Sequence, residues 1–437
     1  MYKFSKFNVI TRVDTNSFAI FNSLTLALAE ISEANYIKIK NSTILDEQNS
    51  SFFKDMLSNF FILSEDINEE YKIEEIEKWL KSDEVVSFII VPTEACNFRC
   101  KYCYEKFNAK RITPKEYESI LEFIKKKTNL KLINIGWFGG EPTLEAKAIK
   151  VFLSNLREYC NDKNIEFSSY ISTNGYLLDD TLFAEFINLG ISGYQITVDG
   201  LQIEHDVKRP LKDGKGTFAK IIQNLSNIKK RSDDFHIIIR YNFDKKSNLK
   251  NFIDFYSDIF GNDSRFGLDL YPICSWSSDD NEPSNNKEIS NESSIDYDFN
   301  LFEHESYALS KGINLSTLSR FTSPLADICY ANKSNSMVIR PGNRINKCTI
   351  RLDSEENFVG RIDNQGNLIY DEEKWKLWSE PKYQKKCIKC PVRPLCLSRY
   401  CPERKIGERD ISCRRQIIKE IKHTNLLKLR PLDSYEK

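Results

Sequence analysis

The chain has 437 residues, 41% hydrophobic and 29% charged, which is enough to bury the cores of two or three domains and excludes a disordered or membrane-embedded protein. Its 63 Lys and Arg balance its 63 Asp and Glu, and zero net charge argues against a nucleic-acid partner. No run approaches the ~18 apolar residues of a membrane span, and Met1-Tyr2-Lys3-Phe4-Ser5-Lys6-Phe7-Asn8 has neither the apolar core nor the cleavage site of a secretion signal, so its 12 Cys read as metal ligands in a reducing cytoplasm.

Residues 1–86 mix short strand-like runs, such as Tyr36-Ile37-Lys38-Ile39, with helical patterns at Ser51–Leu57 and Ile73–Leu80. Ser87-Phe88-Ile89-Ile90-Val91, ending at Pro92, is the apolar signature of a buried strand. Thr113-Pro114 opens a helix with Pro just inside its cap, continuing through Tyr117, Ile120, Leu121 and Ile124. Strands are expected at Leu132–Ile135, Phe167–Ile171, Tyr194–Val198, Phe235–Tyr241 and Phe266–Tyr271. Helices fall between them at Glu145–Glu158, Asp180–Leu189 (closed by Gly190), Thr217–Lys230 and Leu249–Ile259. Six strands alternating with helices define an α/β fold on a parallel sheet, either doubly wound or curled into a barrel. Residues 279–296 are polar and read as a surface loop or linker, and Ile313 onward is irregular and Cys-rich up to a final helix near Arg414–Leu427.

The chemistry concentrates in Cys96-Asn97-Phe98-Arg99-Cys100-Lys101-Tyr102-Cys103-Tyr104. Three thiolates at this spacing can wrap one iron–sulfur cluster, which ordinarily takes four Cys, leaving one iron open to an outside ligand. A closed zinc site would want a fourth ligand nearby, yet the next Cys is Cys160 and the first His is His205. Chance clustering and a zinc site are the other readings of the spacing. The loop resembles the cluster motif of the radical S-adenosylmethionine enzymes. That resemblance implies a 4Fe–4S cluster whose open iron chelates S-adenosylmethionine, reductive cleavage to a 5′-deoxyadenosyl radical, and a partial (β/α)6 TIM-type barrel.

Functional groups of such barrels lie at the C-terminal strand ends. There, Gly139, Gly140 and Glu141 in Trp137-Phe138-Gly139-Gly140-Glu141-Pro142 resemble the family's Gly-Gly-Glu motif, which implies binding of the cofactor's amino group. Ser172, Thr173 and Asn174 follow the third strand as an Asn-Gly turn or as hydroxyls and an amide facing the ribose or carboxylate. Val198-Asp199-Gly200 resembles the family's fourth-strand ending, and Arg240 with Asn242 suits a cofactor carboxylate. Tyr102, inside the cysteine loop, is assigned to the cofactor by the same resemblance. The run His205-Asp206, Arg209-Pro210 and Gly216-Thr217-Phe218 also echoes the family, with His205 read as a structural hydrogen-bonder.

Seven further Cys occupy the last quarter. Zinc ribbons are one reading of the Cys387-x2-Cys390 pair. Their order otherwise looks like the SPASM extension of radical S-adenosylmethionine enzymes, which carries two auxiliary 4Fe–4S clusters. Carried over, Cys387, Cys390, Cys396 and Cys413 hold the second auxiliary cluster, and Cys329, Cys348 and Cys401 the first. The gap before Cys401 is four residues where the family usually has three, and the first auxiliary cluster lacks a fourth ligand unless Cys274 supplies it or the site is open to a substrate thiolate. Cys160 reads as a buried structural thiol.

The resemblance covers residues ~87–415 and divides the chain into 1–86, 87–312 and 313–437. Ala19-Ile20-Phe21-Asn22-Ser23-Leu24-Thr25-Leu26-Ala27-Leu28 resembles the opening of maturases for ribosomally made peptides, which implies that the first segment docks a precursor's leader; otherwise it only caps the barrel. The expected function is crosslinking of a precursor peptide through a thioether or carbon–carbon bond, with flavodoxin or ferredoxin as reductant. The alternatives are a sulfatase-maturating enzyme, whose Asp after the second SPASM cysteine is here Thr349, and a non-enzymatic zinc or iron–sulfur scaffold.

Overall fold

The structure is a computed structural model that describes residues 1–273, 295–319, 321, 328–381, 383–399, 401–402 and 416–429. Cys274, Cys413 and the polar stretch as far as residue 294 lie outside the described residues. The chain forms two compact units: Met1–Ser82 with Thr317–Ser334 and Leu377–Lys437, and Asp83–Ser316 with Asn335–Lys376.

The first unit opens with β1 (Tyr2–Phe4), β2 (Asn8–Arg12), β3 (Ser17–Asn22), β4 (Leu28–Ser32), α1 (Glu33–Lys40), α2 (Ser51–Ser58), β5 (Ile62–Ser64) and α3 (Glu69–Lys81). Strands β2, β3 and β4 form an antiparallel sheet in that order, so β2 and β4 are its edges, while β1 pairs with β5. The strand expected at Tyr36–Ile39 is instead part of α1. Ser32 accepts from the Asn35 amide, Glu33 sits in the first turn and Lys38 and Lys40 in the last, so end effects outweigh a short β-like run. Helices α2 and α3 are capped likewise by Ser50 and Asn68.

The second unit is built on β6 (Val85–Ile90), α4 (Pro114–Lys125), β7 (Leu132–Trp137), α5 (Ala146–Lys163), β8 (Glu166–Thr173), α6 (Asp180–Asn188), β9 (Ile191–Thr197), α7 (Gln202–Lys208), α8 (Phe218–Lys229), β10 (His236–Phe243), α9 (Leu249–Phe260), β11 (Phe266–Pro272) and α10 (Ile295–Ser310). Strands β6 to β11 pair in sequence order, all parallel, and form the partial (β/α)6 barrel. Helix α4 starts where Thr113 and Glu116 close a reciprocal capping box before Pro114. Fully buried Phe88, Trp137, Phe183, Phe186 and Phe252 fill the interior; burying each contributes roughly 1.5–3 kcal/mol.

Four further strands, β12 (Ser336–Arg340), β13 (Arg344–Asn346), β14 (Phe358–Ile362) and β15 (Leu368–Tyr370), extend the sheet beyond β6. β12 runs parallel to β6, pairing Ser336 with Ser87 and Ile339 with Ile90; the next three are antiparallel. Part of the region expected to be irregular therefore forms sheet. Strands of three to five residues are too short for a periodic signature, and partners distant in sequence hold them.

The chain then returns to the first unit through α11 (Glu372–Ser379), α12 (Arg393–Cys396) and α13 (Gln416–Leu429). Val9 and Phe21 share one buried cluster with Phe321, Val392, Leu395, Ile417 and Ile421, and Phe7, Ile73 and Leu80 share another with Ile328 and Leu397. The N-terminal strands thus complete their core with C-terminal side chains. Arg393 pairs with Glu70 at 2.8 Å across the same seam.

Candidate functional site

The motifs meet because parallel strands end together. The loop after β6 carries the three cysteines, and the ends of β7, β8, β9 and β10 carry residues 139–141, 172–174, 198–200 and 240–242. All three thiols are free and half-buried. Burial, the leading cause, pushes Cys96 and Cys103 up to about 12 and raises Cys100, and Cys96 feels the charges of the other two. Among the described residues no three His, Cys, Asp or Glu side chains converge as one metal ion would require; a four-iron cluster spreads its thiolates over separate irons.

Gly139 and Gly140 let two loops lie against each other. The Gly140 amide donates to Thr93 O at 3.2 Å and the Glu141 amide to Ala95 O at 2.8 Å, just before Cys96. A Cβ on Gly140 would sit 2.1 Å from Ala95 O, and one on Gly139 2.7 Å from Thr93 O, with φ +121° besides. Backbone cannot yield as a side chain can, so only glycine fits.

The Glu141 carboxylate is buried and held within the protein. Oε1 accepts from the Thr143 amide at 3.0 Å, its hydroxyl at 2.5 Å and the Thr173 hydroxyl at 2.6 Å; Oε2 accepts from the Asn174 amide at 2.7 Å. Burial pushes its pKa up against these bonds. Asn174 also donates through Nδ2 to Asn97 Oδ1 at 2.8 Å, tying the end of β8 to the cysteine loop. Ser172, one residue earlier on β8, is half-buried where Thr173 is buried, as strand alternation requires.

The other wall of the cysteine loop is the segment after α7. Arg99 N donates to Pro210 O at 2.9 Å, Lys101 N to Lys208 O at 3.0 Å and Lys212 N to Asn97 O at 2.8 Å. Beneath it, the Tyr102 hydroxyl donates to Asp199 and accepts from Arg209 Nη1 at 2.6 Å and Asn242 Nδ2 at 3.1 Å. The Asn242 amide closes the network on Asp199 Oδ1 at 2.8 Å. Burial, reinforced by Asp199, keeps the Tyr102 proton well above its ordinary range. The Tyr102 residue as a whole is half-buried. Arg240 lies 3.8 Å from the centroid of the Tyr271 ring and donates through Nε to Asn242 Oδ1 at 3.1 Å.

His205 is structural, as expected. Its Nδ1 accepts from the Asp199 amide at 3.0 Å and its Nε2 meets Thr217 Oγ1 at 3.0 Å, which donates to Arg209 O. Burial, aided by Arg209 and Lys208, lowers its pKa from 6.5 to about 2. The folded protein therefore keeps His205 neutral while the unfolded chain binds a proton below 6.5. Stability from this residue is complete above that pH and declines by up to roughly 1.4 kcal/mol per unit as pH falls toward the folded value. Urea melts from pH 7.5 to 4.5 should show a shallower acid slope for His205→Gln than for the parent chain, and parallel slopes would refute the assignment.

Sequence reasoning overlooked a second anchor. Arg340, at the end of β12, is buried and contacts Glu94 at 2.5 Å and Asp353 at 3.0 Å, which fastens the segment before Cys96 to the added strands. Glu105, two residues past Cys103, is pushed up to about 7 by burial and by Glu94, Asp353 and Glu141, with Arg340 opposing. It can hold or release a proton near neutral pH beside the loop. Such carboxylates carry no motif; only their convergence on one arginine marks them.

Of the auxiliary-cluster candidates, Cys348 belongs to the barrel unit, where its backbone amide donates to Asn357 Oδ1 at 2.9 Å. Cys329, Cys387, Cys390, Cys396 and Cys401 belong to the other unit. There Cys387, Cys390 and Cys396 follow one another through a short turn and α12, with Cys390 and Cys396 packed against the Val392–Leu395 core. Among the described residues none of these forms a disulfide. Cys160 is buried within α5.

The profile of the Radical SAM superfamily matches residues 90–259. The chain carries a radical S-adenosylmethionine domain. It is 29% identical over 174 residues to the serine-type anaerobic sulfatase-maturating enzyme of Bacteroides thetaiotaomicron, covering 38% of this chain and 41% of that protein. To the radical SAM cyclopropyl synthase TigE of Paramaledivibacter caminithermalis it is 25% identical, covering 61% and 63%. The chain thus spans roughly two fifths to under two thirds of these relatives' length. The crystal structure of Streptococcus suis SuiB bound to its precursor peptide SuiA shares the fold, with TM-score 0.50 and 14% identity over 92% of this chain and 98% of that one.

Such a domain implies one 4Fe–4S cluster and S-adenosylmethionine. The residues fit. Three free thiols share a braced loop, two glycines cradle it where any Cβ would collide, and the buried Arg209, set against Phe98 and Tyr102 on either side of Cys100 in sequence, has an Nε with no acceptor among the described residues. Among these residues no helix is long and apolar enough to cross a membrane.

Proposed function

We propose that this protein is a radical S-adenosylmethionine enzyme that modifies a ribosomally made precursor peptide, forming a thioether or carbon–carbon crosslink after hydrogen abstraction by a 5′-deoxyadenosyl radical. One observation carries the reading. Cys96, Cys100 and Cys103 sit on a loop held on both sides, by the Ala95–Glu141 backbone bond and the Asn97–Asn174 side-chain bond and by residues 208–212. In this reading Gly139, Gly140 and Glu141 form the acceptor side of the cofactor's amino site, and Ser172, Thr173, Asn174 and Arg240 flank its polar groups. The Tyr102 ring contacts the cofactor while its hydroxyl anchors the loop. Cys387, Cys390, Cys396 and Cys413 hold one auxiliary cluster and Cys329, Cys348 and Cys401 another, on the sequence pattern. A flavodoxin or ferredoxin supplies electrons, and the site of action is the cytoplasm.

Support for a peptide substrate comes from SuiB, whose structure holds a precursor peptide, and from the N-terminal sheet. Among the described residues β2 and β4 are the edge strands of their sheet, and adding a strand at an edge is a common way to hold an extended leader. Because residues of 1–86 share a core with Val392, Leu395, Ile417 and Ile421, deleting the segment would expose those side chains and confound a binding test. Edge substitutions are the sharper test. A proline at Glu30 on β4 or at Ile10 on β2 should weaken binding of a fluorescent leader peptide at least about tenfold on the edge that is used, through the loss of edge hydrogen bonds. Equal affinity in both variants would leave the segment a capping role only.

Sulfatase maturation is the second reading, favoured by the Bacteroides relative. Incubation with the genomically adjacent peptide and with a sulfatase-derived peptide separates the two. A crosslink resists aldehyde-trapping hydrazine and survives as a cyclic fragment in tandem mass spectra, whereas formylglycine is trapped.

A further inference from the structure

Arg209 is a buried cation placed against the cysteine loop. Its flanking residues hold that loop, through Lys208 O to Lys101 N and Pro210 O to Arg99 N. Its side chain passes under the loop between two of the loop's own residues: the guanidinium lies 5.8 Å from the Phe98 ring centroid, and Nη1 donates to the Tyr102 hydroxyl at 2.6 Å. Those residues flank Cys100, and Cys100 is the leading charge partner of Arg209. Asp199 stands off at 3.7 Å from Nη1, with its own oxygens taken by Tyr102 and the Asn242 amide.

The other end of the guanidinium is unspent. Arg209 is 7% exposed, and its Nε–H has no acceptor among the described residues. A charged donor buried without a partner is costly unless something accepts from it.

We propose that Arg209 is a positioning and tuning residue for the cluster: Nε–H donates to a cluster sulfur beside Cys100, and the guanidinium charge raises the cluster's reduction potential. This rests on the radical S-adenosylmethionine reading and deepens it. Reduction adds one electron, supplied by an external donor of the flavodoxin or ferredoxin class, which is itself oxidised by one electron. No bond forms or breaks at Arg209 and no proton moves. The reduced cluster carries one more negative charge than the oxidised one, so a fixed neighbouring cation stabilises it more. Hydrogen bonds to sulfur act in the same direction.

The test is a redox titration of anaerobically reconstituted full-length protein, followed by the electron paramagnetic resonance signal that the Cys96/Cys100/Cys103→Ala variant lacks. At the parent midpoint, Arg209→Gln with unchanged iron content should show at least a tenfold lower ratio of reduced to oxidised cluster, a shift of ~59 mV or more. Arg209→Lys, which keeps the charge, should recover most of that ratio. An unchanged ratio in Arg209→Gln overturns the proposal.

A second measurement holds if Arg209→Gln does not load iron. Parent protein grown with guanidino-15N arginine should show a nitrogen hyperfine coupling to the reduced cluster that Arg209→Lys loses. Its absence overturns the hydrogen bond. A signal that survives in the triple cysteine variant would instead sink the cluster reading itself, and this inference with it.

Discussion

Replacing Cys96, Cys100 and Cys103 together with Ala should abolish 5′-deoxyadenosine formation, to below about one thousandth of the parent rate, a loss of at least ~4 kcal/mol in barrier terms. The expectation follows from how the loop is held. Its backbone is fixed by Arg99–Pro210, Lys101–Lys208 and Lys212–Asn97 bonds, joined by the Asn174–Asn97 side-chain bond, none of which uses a thiol. Removing the sulfurs therefore removes the ligands and leaves their scaffold, so a dead variant cannot be dismissed as unfolded. Iron bound by the C-terminal cysteines should remain, and an iron count falling by about one cluster's worth would report the loss. Chromatography of 5′-deoxyadenosine after dithionite reduction checks the activity. An undiminished yield would overturn the central assignment.

Gly140→Ala should be nearly as damaging without touching a ligand. The new Cβ would lie 2.1 Å from Ala95 O, one residue before Cys96, and the nearest atoms are backbone. Relief requires moving either the end of β7 or the cysteine loop, and overpacking of this kind costs roughly 1–3 kcal/mol before any functional loss. Iron retained at the first site should fall and melting should drop by several degrees. Gly267→Ala on β11 is the control. Its Cβ would meet His236 at an ordinary 3.6 Å and its φ is not positive, so its melting temperature should stay within a degree or so of the parent's. Equal behaviour of the two variants would mean that the loop contact does not matter.

The sequence by itself determined everything with a local physical cause. The cysteine spacing, the six barrel strands and most of their helices are written in runs of neighbouring residues, because period, caps and turn glycines act within a few positions. The strand misread at Tyr36–Ile39 shows the limit of that logic: a cap at Ser32 overruled four residues of pattern. Other features belong to the tertiary structure alone. Arg340 meets Glu94 across 246 positions, Tyr102 meets Arg209 across 107, and Val9 shares a buried cluster with Ile417 from the opposite end of the chain. Each residue reads as an ordinary arginine, tyrosine or valine in sequence. Glu141 is the clearest case, for its motif shows a carboxylate at a strand end, while only the fold brings Thr143, Thr173 and Asn174 to donate to it. Which donors reach a buried charge depends on where strand ends converge, and desolvation makes that convergence decisive; neither is a property of neighbours in sequence.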